Sequence, residues 1–220
     1  MKTEQILHKV IADYEQISEE FGASRQAAWP EFNLLREKIE GKKIKLADIG
    51  CGNGRLGKLL ASENVSYYGV DNNASLLALA KIQLTDLSPK AILRKAHMQK
   101  LPFKKDFFDI TVSFAALHHL PTASLQLKAL KEMRRITNKE GFVFITVWNL
   151  WQPKYKKHIN PKNHHSFIPW GNPVQVERFY YAFKVNELKD LLKKAGFTTI
   201  RRLSSDHNFF FQCSGKMFLF

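Results

Sequence analysis

The sequence predicts an α/β fold with a mostly parallel, seven-stranded sheet, helices on both faces of the sheet and a helical extension at the N-terminus. Two observations lead to this prediction. Short apolar runs alternate with helical segments between residues 44 and 148, as strands and helices do in parallel sheets. The first of these runs leads directly into closely spaced glycines, as the first strand of a nucleotide-binding domain does. A chain of 220 residues can bury a sufficient core as a single domain.

Residues 1–43 are predicted to be the helical extension, with two amphipathic helices. The stretch GASRQAAWPEF interrupts them, with Gly22 and Pro30 as the breaks. The apolar residues at helical spacing are Ile6, Leu7, Val10, Ile11, Ile17 and Phe21.

Residues 44–148 are predicted to be the ligand-binding core, with five strands and three helices. The helices begin near Gly54, Asn73 and Thr122. The strand segments are IKLADIG, VSYYGVD, KAILRK, FFDITVSF and GFVFITVW.

Residues 149–176 show neither periodicity and are predicted to be a basic, aromatic insertion. They contain four prolines, four lysines and three histidines, and loops of this length inside a compact domain are usually functional or disordered. Residues 177–220 are predicted to supply the helix NELKDLLKKAG and two further strands, FTTIRRLSS and NFFFQCSG, on the substrate side.

The composition is strongly basic, with 34 Lys and Arg against 20 Asp and Glu and a formal net charge of +14. This excess indicates a polyanionic partner such as nucleic acid, and a merely basic soluble surface is the alternative. The two cysteines, Cys51 and Cys213, exclude a disulfide framework and a four-cysteine metal site within the chain.

The chain is predicted to be a cytoplasmic protein. Its first residues carry scattered charges and no apolar core, unlike a secretory signal. The longest apolar clusters fall short of the ~20 residues that a membrane span needs. No membrane contact is therefore expected.

The segment LADIGCGNGRL combines a strand with glycines at positions 50, 52 and 54. Such glycines let the backbone turn sharply and bring bare N–H groups against a ligand. From Gly52 the text GNGRLG also fits G-x-G-x-x-G, the dinucleotide fingerprint, although this short match is weak on its own. A tight strand-to-helix turn without a ligand is the structural alternative.

Two carboxylates separate the possible ligands. Asp48 precedes the first glycine, where it would repel a pyrophosphate and attract an ammonium group. Asp71 ends the next strand, where a carboxylate can accept hydrogen bonds from ribose hydroxyls. NAD and S-adenosylmethionine share that ribose, and Asp48 favours the ligand with a positive charge.

Together, LADIGCGNGR, the VD after the next strand, LPFKKDFFDITVS, ALHHL and LKEMRRITNKEGFVFITVW resemble the class I S-adenosylmethionine-dependent methyltransferases. The resemblance covers residues 44–148 and implies a Rossmann-like fold with S-adenosylmethionine as the cofactor. It places Asp71 at the ribose and Met98 near the adenine, with His97 where many relatives have Asp. The cofactor-binding residues that it implies are Asp48, Gly50, Cys51, Gly52, Asn53, Gly54, Asp71, Asn72, His97, Met98 and Ala115.

The outer segments IADYEQISEEFGASRQAAWPEF and FIPWGNPVQVERFYYAFKVNEL resemble the tRNA methyltransferases, with a methyltransferase type 11 domain, that esterify a carboxymethyl group on the wobble uridine. Tyr181 stands where those relatives have His. The resemblance implies tRNA as the substrate, and a small zinc-binding activator protein that adds along a sheet edge, for which KAILRKAH is the candidate strand. The residues at the family's motif positions are Arg25, Trp29, Pro30, Pro169, Trp170 and Arg178.

The chemistry of the acceptor assigns different roles to arginine and histidine. A carboxylate is ionised at neutral pH and needs no general base, and Arg25 and Arg178 could orient it bidentately. A hydroxyl or amine acceptor would benefit from a base, and ALHHL offers His118 and His119. We expect at least one of these histidines to face the pocket and position the substrate; the alternative is that both only pack or cap the next helix.

The basic aromatic insertion is the predicted RNA-facing element, because lysines attract phosphates and flat rings stack on unpaired bases. Its alternative role is a lid over the methyl-donor pocket. His158, His164 and His165 lack a regular metal-ligand spacing, so no metal site is expected. The predicted substrate-binding residues are Trp29, Trp148, Lys154, Lys156, Lys157, Trp170, Tyr180 and Tyr181.

Two other functions remain open from the sequence. A small-molecule O- or N-methyltransferase on the same fold would have a closed apolar pocket and scattered positive charge. A catalytically inactive RNA-binding protein would fail to bind S-adenosylmethionine in a titration.

Overall fold

The computed structural model describes residues 1–24, 29, 31–60, 64–86, 91–203 and 207–216. Seven strands form one sheet in the order β3-β2-β1-β4-β5-β9-β8. Strands β1 to β5 pair in parallel, and β9 runs antiparallel to β5 and to β8. The predicted mostly parallel, seven-stranded sheet is confirmed. Its strands are β1 (Ile44–Ile49), β2 (Val65–Asp71), β3 (Ile92–Lys95), β4 (Phe108–Phe114), β5 (Thr137–Trp148), β8 (Thr199–Leu203) and β9 (Asn208–Ser214).

The described part of the helical extension contains three helices and not two, because the first predicted helix is interrupted at Ile17. Asn73 and Thr122 each accept a hydrogen bond from a backbone N–H of the following turn, so they act as N-caps of the helices predicted to start there. The helices are α1 (Thr3–Gln16), α2 (Ser18–Ala23), α3 (Glu31–Ile39), α4 (Arg55–Leu59), α5 (Ala74–Gln83), α6 (Ala123–Ile136), α7 (Pro153–Lys156) and α8 (Val185–Lys194), with a 3₁₀ turn at Leu117–His119.

The sheet separates two apolar cores. Because side chains alternate along a strand, Ala47 and Ile49 of β1 join the core under α6 and α8, whereas Ile44 and Leu46 join the core under α3 and α4. Helices therefore cover both faces of the sheet, as predicted. This packing leaves the carboxyl ends of the parallel strands at one edge of the molecule, where ligands bind in such sheets.

The predicted irregular insertion contains regular structure. After α7, strands β6 (His165–Trp170) and β7 (Val176–Tyr181) pair antiparallel as a separate two-stranded sheet. The hairpin was not predicted from the sequence, because Pro169 and Gly171 are residue types that usually mark loops. Pro169 fits because a two-stranded sheet consists of edge strands, which tolerate a missing backbone donor.

Within the part of the chain that the structure describes, we find no helix long and apolar enough to cross a membrane.

Candidate active site

A cavity of about 390 Å³ lies at the carboxyl ends of β1, β2 and β4. The glycine loop and the ends of these strands line one part of it. The N-terminal helices α1 and α2 contribute Tyr14 and Phe21, and the second sheet contributes Arg178 and Tyr180. One cavity thus brings together residues from the extension, the core and the hairpin, which are far apart in sequence.

The structure requires glycine at the three loop positions for different reasons. All three have positive φ, +80° at Gly50, +55° at Gly52 and +80° at Gly54. A Cβ on Gly50 would lie 2.3 Å from the Ala116 Cβ, and one on Gly54 would lie 2.9 Å from a methyl group of Leu84, whereas one on Gly52 would meet nothing within 4 Å. Gly52 therefore opens towards a ligand. Gly54 is needed for packing and does not line the cavity, which differs from its predicted cofactor contact.

The expectation of bare N–H groups at the three loop glycines is wrong, and the N–H group of Cys51 is hydrogen-bonded as well. The N–H groups of Gly50 and Cys51 both donate to the Val70 carbonyl, at 2.7 and 3.0 Å. Gly52 N–H donates to the Asp71 carboxylate at 2.9 Å, and Gly54 N–H to the Cys51 carbonyl at 3.0 Å. With these donors used inside the protein, the loop has little to offer a pyrophosphate.

Asp48 supplies buried negative charge to the cavity. Its side chain is only 4% exposed, and the Tyr67 hydroxyl donates to its Oδ2 at 2.7 Å. Burial raises the pKa of Asp48 to about 7, an effect that Tyr67 and Arg55 oppose and Asp71 reinforces. A cationic ligand group beside Asp48 would favour its ionised form.

Asp71 is held by the backbone at both carboxylate oxygens. Oδ2 accepts from Gly52 N–H and Oδ1 accepts from Asn73 N–H, each at 2.9 Å. Burial raises the pKa of Asp71, and these backbone hydrogen bonds oppose the rise. The carboxylate is therefore fixed at the end of β2, beside Asn72, and both residues line the cavity.

The remaining predicted cofactor residues also line the cavity, with different surroundings. His97 is exposed and Met98 is partly buried, while Ala115 has φ +52°. Burial raises the pKa of the Cys51 thiol well above its usual value, so Cys51 is a small buried residue and not a nucleophile. Asn53 donates from its side chain to the Gly22 carbonyl at 3.3 Å and so connects the loop to α2.

Arg178 lies buried in an aromatic box within the same cavity. Its guanidinium carbon is 5.4 to 5.8 Å from five ring centres, and it is 4% exposed. Among the described residues, no carboxylate lies within ion-pair distance of it, and its Nε is buried without a hydrogen-bond partner. The rings belong to Tyr14, Phe21, Trp148, Trp170 and Tyr180.

His119 connects Arg178 to the extension. Its Nδ1 lies 2.8 Å from the Phe179 carbonyl, which assigns the proton of the neutral ring to Nδ1. Its Nε2 then accepts from the Tyr14 hydroxyl at 3.1 Å, and that hydroxyl accepts from Arg178 Nη1 at 3.4 Å. Both ring nitrogens are occupied, so His119 holds Tyr14 in place and does not fit its predicted catalytic role.

His118 has the opposite tautomer. Its Nδ1 accepts from the Trp148 N–H at 3.2 Å, which leaves the proton on Nε2, and Nε2 is buried without a partner in the described ranges. Burial, the neighbouring His119 and Arg178 lower the pKa of His118 well below its usual value, with the backbone of Ala115 opposing the shift. Burial also lowers the pKa of His119, to about 4. Both imidazoles are neutral at physiological pH.

Residues 47–145 match the family model described as a methyltransferase domain. The chain is 31% identical, over 182 residues, to a protein from Arabidopsis thaliana named tRNA (carboxymethyluridine(34)-5-O)-methyltransferase, covering 78% of this chain and 41% of that protein. It is 25% identical to the protein of the same name from Schizosaccharomyces pombe, covering 87% of this chain and 88% of that protein.

The chain therefore contains a methyltransferase domain.

Solved structures agree on the fold. A S-adenosylmethionine-dependent methyltransferase from Methanosarcina mazei superposes with a TM-score of 0.70 at 20% identity, over 84% of this chain and 97% of that one. The CcbJ methyltransferase from Streptomyces caelestis superposes with a TM-score of 0.71 at 14% identity, over 92% and 97%. The match of residues 47–145 to a methyltransferase domain supports S-adenosylmethionine as the cofactor, as predicted. The cavity fits this cofactor. Asp48 suits its cationic end and Asp71 suits its ribose, and Gly52 has no side chain that would keep the cofactor away from the loop backbone.

An aromatic wall of the cavity contains three of the five aromatic residues predicted to bind substrate, Trp29, Trp148 and Tyr180. Trp148 stacks on Tyr180 with ring centres 5.0 Å apart and planes 16° apart. Trp29 lines the cavity beneath Arg55, whose guanidinium carbon is 4.5 Å from the Trp29 ring centre. Trp170 contacts Arg178 from outside the cavity lining.

Tyr181, which was also predicted to bind substrate, does not belong to this wall. Successive side chains on β7 point to opposite faces, so Arg178 and Tyr180 face the cavity while Tyr181 faces the core. There its hydroxyl donates to Glu187 of α8. The structure therefore gives Tyr181 no contact with a substrate in the cavity, contrary to the prediction.

The predicted basic residues of the insertion lie beside the cavity. Lys154, Lys156 and Lys157 are exposed on and after α7, and Tyr155 of that helix packs on Trp148 at 5.9 Å between ring centres. Arg25 and Pro30 lie outside the described residues. No cluster of three metal-binding side chains occurs in the described chain, and His164 and His165 have separate contacts, with Glu187 and the Pro121 carbonyl.

Sequence reasoning missed two tyrosines of the site. Tyr14 continues the apolar stripe of α1, three residues after Ile11 and seven after Leu7, so the helical period could have indicated that it faces the domain. Tyr67 reaches Asp48 only because β1 and β2 pair in a particular register. No local signal in the sequence reveals that register.

Proposed function

We propose that this methyltransferase transfers a methyl group to the carboxylate of a carboxymethyl group on the wobble uridine of tRNA, forming a methyl ester. The observation that carries the proposal is Arg178, a buried guanidinium without an acidic partner in the described chain, in the same cavity as Asp48 and Asp71. A buried charge is costly unless it is paired. A carboxylate acceptor would supply the missing anion.

The hydrogen-bond donors in the cavity suit a carboxylate. Tyr14 occupies Arg178 Nη1, which leaves the Nε and Nη2 edge of the guanidinium for bidentate binding. His118 Nε2–H is a second buried donor without a partner among the described residues. Both side chains contact the stacked rings of Trp148 and Tyr180, so they lie on one side of the cavity.

A carboxylate acceptor needs no general base, and neither histidine of the cavity is placed to act as one. S-adenosylmethionine, when bound, supplies an electrophilic methyl group. His119 has both nitrogens occupied, and the buried Nε2 of His118 carries a proton and has no free lone pair. Neither is placed to remove a proton, and an ionised carboxylate has none to lose. The residues of the cavity therefore align the carboxylate and exclude water.

Three features support tRNA as the carrier of this carboxylate. Two curated relatives are named for carboxymethyluridine at position 34 of tRNA. The exposed Lys154 and Lys156 flank Tyr155, whose ring packs on Trp148, and together with Lys157 they would attract the phosphates flanking an extruded base. The net charge of +14 strengthens this attraction.

The test is methyl transfer from labelled S-adenosylmethionine to total tRNA from the source organism, with a small-metabolite fraction alongside, followed by nucleoside mass spectrometry. We expect label in a base-labile methyl ester of a wobble uridine. Label confined to the metabolite fraction would overturn the tRNA assignment. Failure to bind the cofactor would favour the RNA-binding alternative.

Arg178→Lys tests the carboxylate contact. Lysine keeps the charge and loses the planar fork, so we expect kcat/KM for tRNA to fall about a hundredfold while cofactor affinity is retained. Arg202→Lys is the matched control, because Arg202 is exposed on β8 and outside the cavity lining. Equal activity of the two variants would contradict the proposed role.

We also propose a small zinc-binding activator protein as a partner, docked along β3, and a cytoplasmic location. Strand β3 is an edge of the seven-stranded sheet, and its Arg94 and Lys95 are exposed. The buried thiols Cys51 and Cys213 are free, which suits a reducing compartment. Co-purification of the activator with the intact chain, and its loss on Leu93→Pro, would support the docking site; full activity of the chain alone would argue against a required partner.

A further inference from the structure

Tyr67 is a buried tyrosine at the cofactor end whose position no motif explains. Its ring lies between β1 and α4, and a Cβ added to Gly57 would come within 2.9 Å of it. The hydroxyl donates to Asp48 Oδ2 at 2.7 Å. A buried hydroxyl placed so close to the acidic residue of the cavity can act on cofactor binding through that residue.

The register of β1 and β2 creates this contact. Tyr67 pairs with Leu46, and Gly69 pairs with Asp48, so these four residues share one face of the sheet. A Cβ on Gly69 would lie 3.2 Å from the Tyr67 ring and 3.0 Å from the Cys51 sulfur. The glycine opposite Asp48 therefore makes room for the tyrosine ring to cross to the carboxylate.

We propose that Tyr67 is a positioning residue for cofactor binding, holding the Asp48 carboxylate in the orientation that receives the cationic end of S-adenosylmethionine. The inference rests on cofactor use and not on the tRNA acceptor. Failure of the tRNA assignment would leave it intact.

The charges around Asp48 make the contact important near neutral pH. The groups that face Asp48 are Tyr67 of β2, Asp71 at the end of β2, Arg55 of α4 and the Cys51 thiol in the loop. Burial and Asp48 raise the pKa of Tyr67 well above its usual value, so the hydroxyl remains a donor. Because Tyr67 lowers the pKa of Asp48, its removal moves ionisation of the carboxylate to higher pH.

The experiment measures the Kd of S-adenosylmethionine by calorimetry over a pH series. In the wild type, a cation binds the ionised carboxylate better, so affinity rises with pH up to about 7 and then levels off. In Tyr67→Phe the pH at which cofactor affinity rises should be higher, because Asp48 would ionise at higher pH. We therefore expect the Kd of this variant to exceed the wild-type Kd about tenfold at about pH 6 and by less at about pH 9. A Kd profile equal to that of the wild type would overturn the proposal.

Tyr68→Phe is the matched control, because Tyr68 is the next residue on β2 and packs on the other face, against Phe103, Phe107 and Phe108. We expect its Kd to stay within about twofold of the wild type at every pH. A pH-independent loss of the same size in both variants would show that Tyr67 only packs, and would overturn the proposal.

A second comparison tests whether Tyr67 acts through Asp48 and not through Asp71, which lines the same cavity. Asp48→Asn and the double variant Asp48→Asn/Tyr67→Phe both lack the carboxylate that Tyr67 positions. We expect equal Kd values for the two, since the hydroxyl would have nothing left to hold. A further loss of cofactor affinity in the double variant would show that Tyr67 acts independently of Asp48.

Discussion

Hydrogen-bond partners, and not residue types, separate the two adjacent histidines of the methyltransferase. His118 accepts a hydrogen bond from a backbone N–H at Nδ1 and has a buried Nε2 without a partner among the described residues, whereas His119 is hydrogen-bonded at both nitrogens. The same pattern makes Tyr14 part of the acceptor site, because its hydroxyl lies between His119 and Arg178. Such assignments require the positions of atoms from three separate segments.

Tyr14→Phe removes the hydroxyl that joins Arg178 to His119. We expect KM for tRNA to rise about tenfold, because the guanidinium loses the contact that fixes its rotation, with a loss of about 1 kcal/mol in unfolding free energy. Steady-state kinetics and denaturant titration measure the two effects. Cofactor Kd should stay unchanged, and a variant that loses cofactor affinity and keeps its KM for tRNA would refute this role.

Acid should destabilise the methyltransferase through His119. Its pKa is lowered to about 4 in the folded protein, so below about pH 6.5 the unfolded chain binds a proton that the folded chain does not. The free energy of unfolding should therefore fall as pH drops from about 6.5 to about 4, by about 3 kcal/mol from this residue.

Urea titrations of the wild type and His119→Gln across this range isolate the contribution of His119. Glutamine can donate and accept at similar positions but does not titrate, so its stability should depend less on pH. Parallel stability curves for the two proteins would exclude His119 as the source of the acid sensitivity.

At the scale of elements, the core could be predicted better than its surroundings. The five parallel strands and their helices follow from periodicity, and Asp48 and Asp71 follow from their spacing to the glycines. The hairpin of β6 and β7 was not predicted, since its proline and glycine are typical of a loop. Because β7 was not predicted as a strand, the alternation of side chains along it could not be used to predict that Tyr181 and Arg178 point in opposite directions.

Helix α7 offers an element-scale test of the RNA surface. Replacing Lys154, Lys156 and Lys157 with glutamate should weaken tRNA binding by more than about tenfold. The slope of log K against the logarithm of the salt concentration should also fall, by the amount expected for the loss of about three phosphate contacts. Filter binding at several salt concentrations measures both. The control replaces Lys189, Lys193 and Lys194 of α8, a helix with no residue in the cavity lining; equal effects of the two triple variants would mean that only net charge matters.

At the scale of the whole molecule, the extension touches both ends of the cavity. Asn53 binds the Gly22 carbonyl and Asn73 binds the Ile11 carbonyl at the cofactor end, while Tyr14 binds His119 at the acceptor end. Helices α1 and α2 can therefore transmit the state of one end to the other. This arrangement could not be predicted from the sequence, because it depends on how three helices pack over the finished sheet.

Cofactor and tRNA should consequently bind cooperatively. We expect S-adenosylhomocysteine to tighten tRNA binding several-fold, about 1 kcal/mol of coupling, and tRNA to tighten cofactor binding by the same factor. Asn53→Ala, which releases α2 from the glycine loop, should reduce this coupling. Titration of tRNA with and without S-adenosylhomocysteine measures it, and an unchanged ratio of the two Kd values in Asn53→Ala would rule out this connection.

The hydrogen-bonded glycine loop also bears on competition inside a cell. ATP and NAD share the adenosine moiety of S-adenosylmethionine, and both carry phosphates. A loop whose Gly50, Cys51, Gly52 and Gly54 N–H groups donate to the Val70 and Cys51 carbonyls and to the Asp71 carboxylate, beside two acidic side chains, repels those phosphates. This repulsion disfavours ATP and NAD at the charged end of the site, whereas His97 leaves the predicted adenine side exposed.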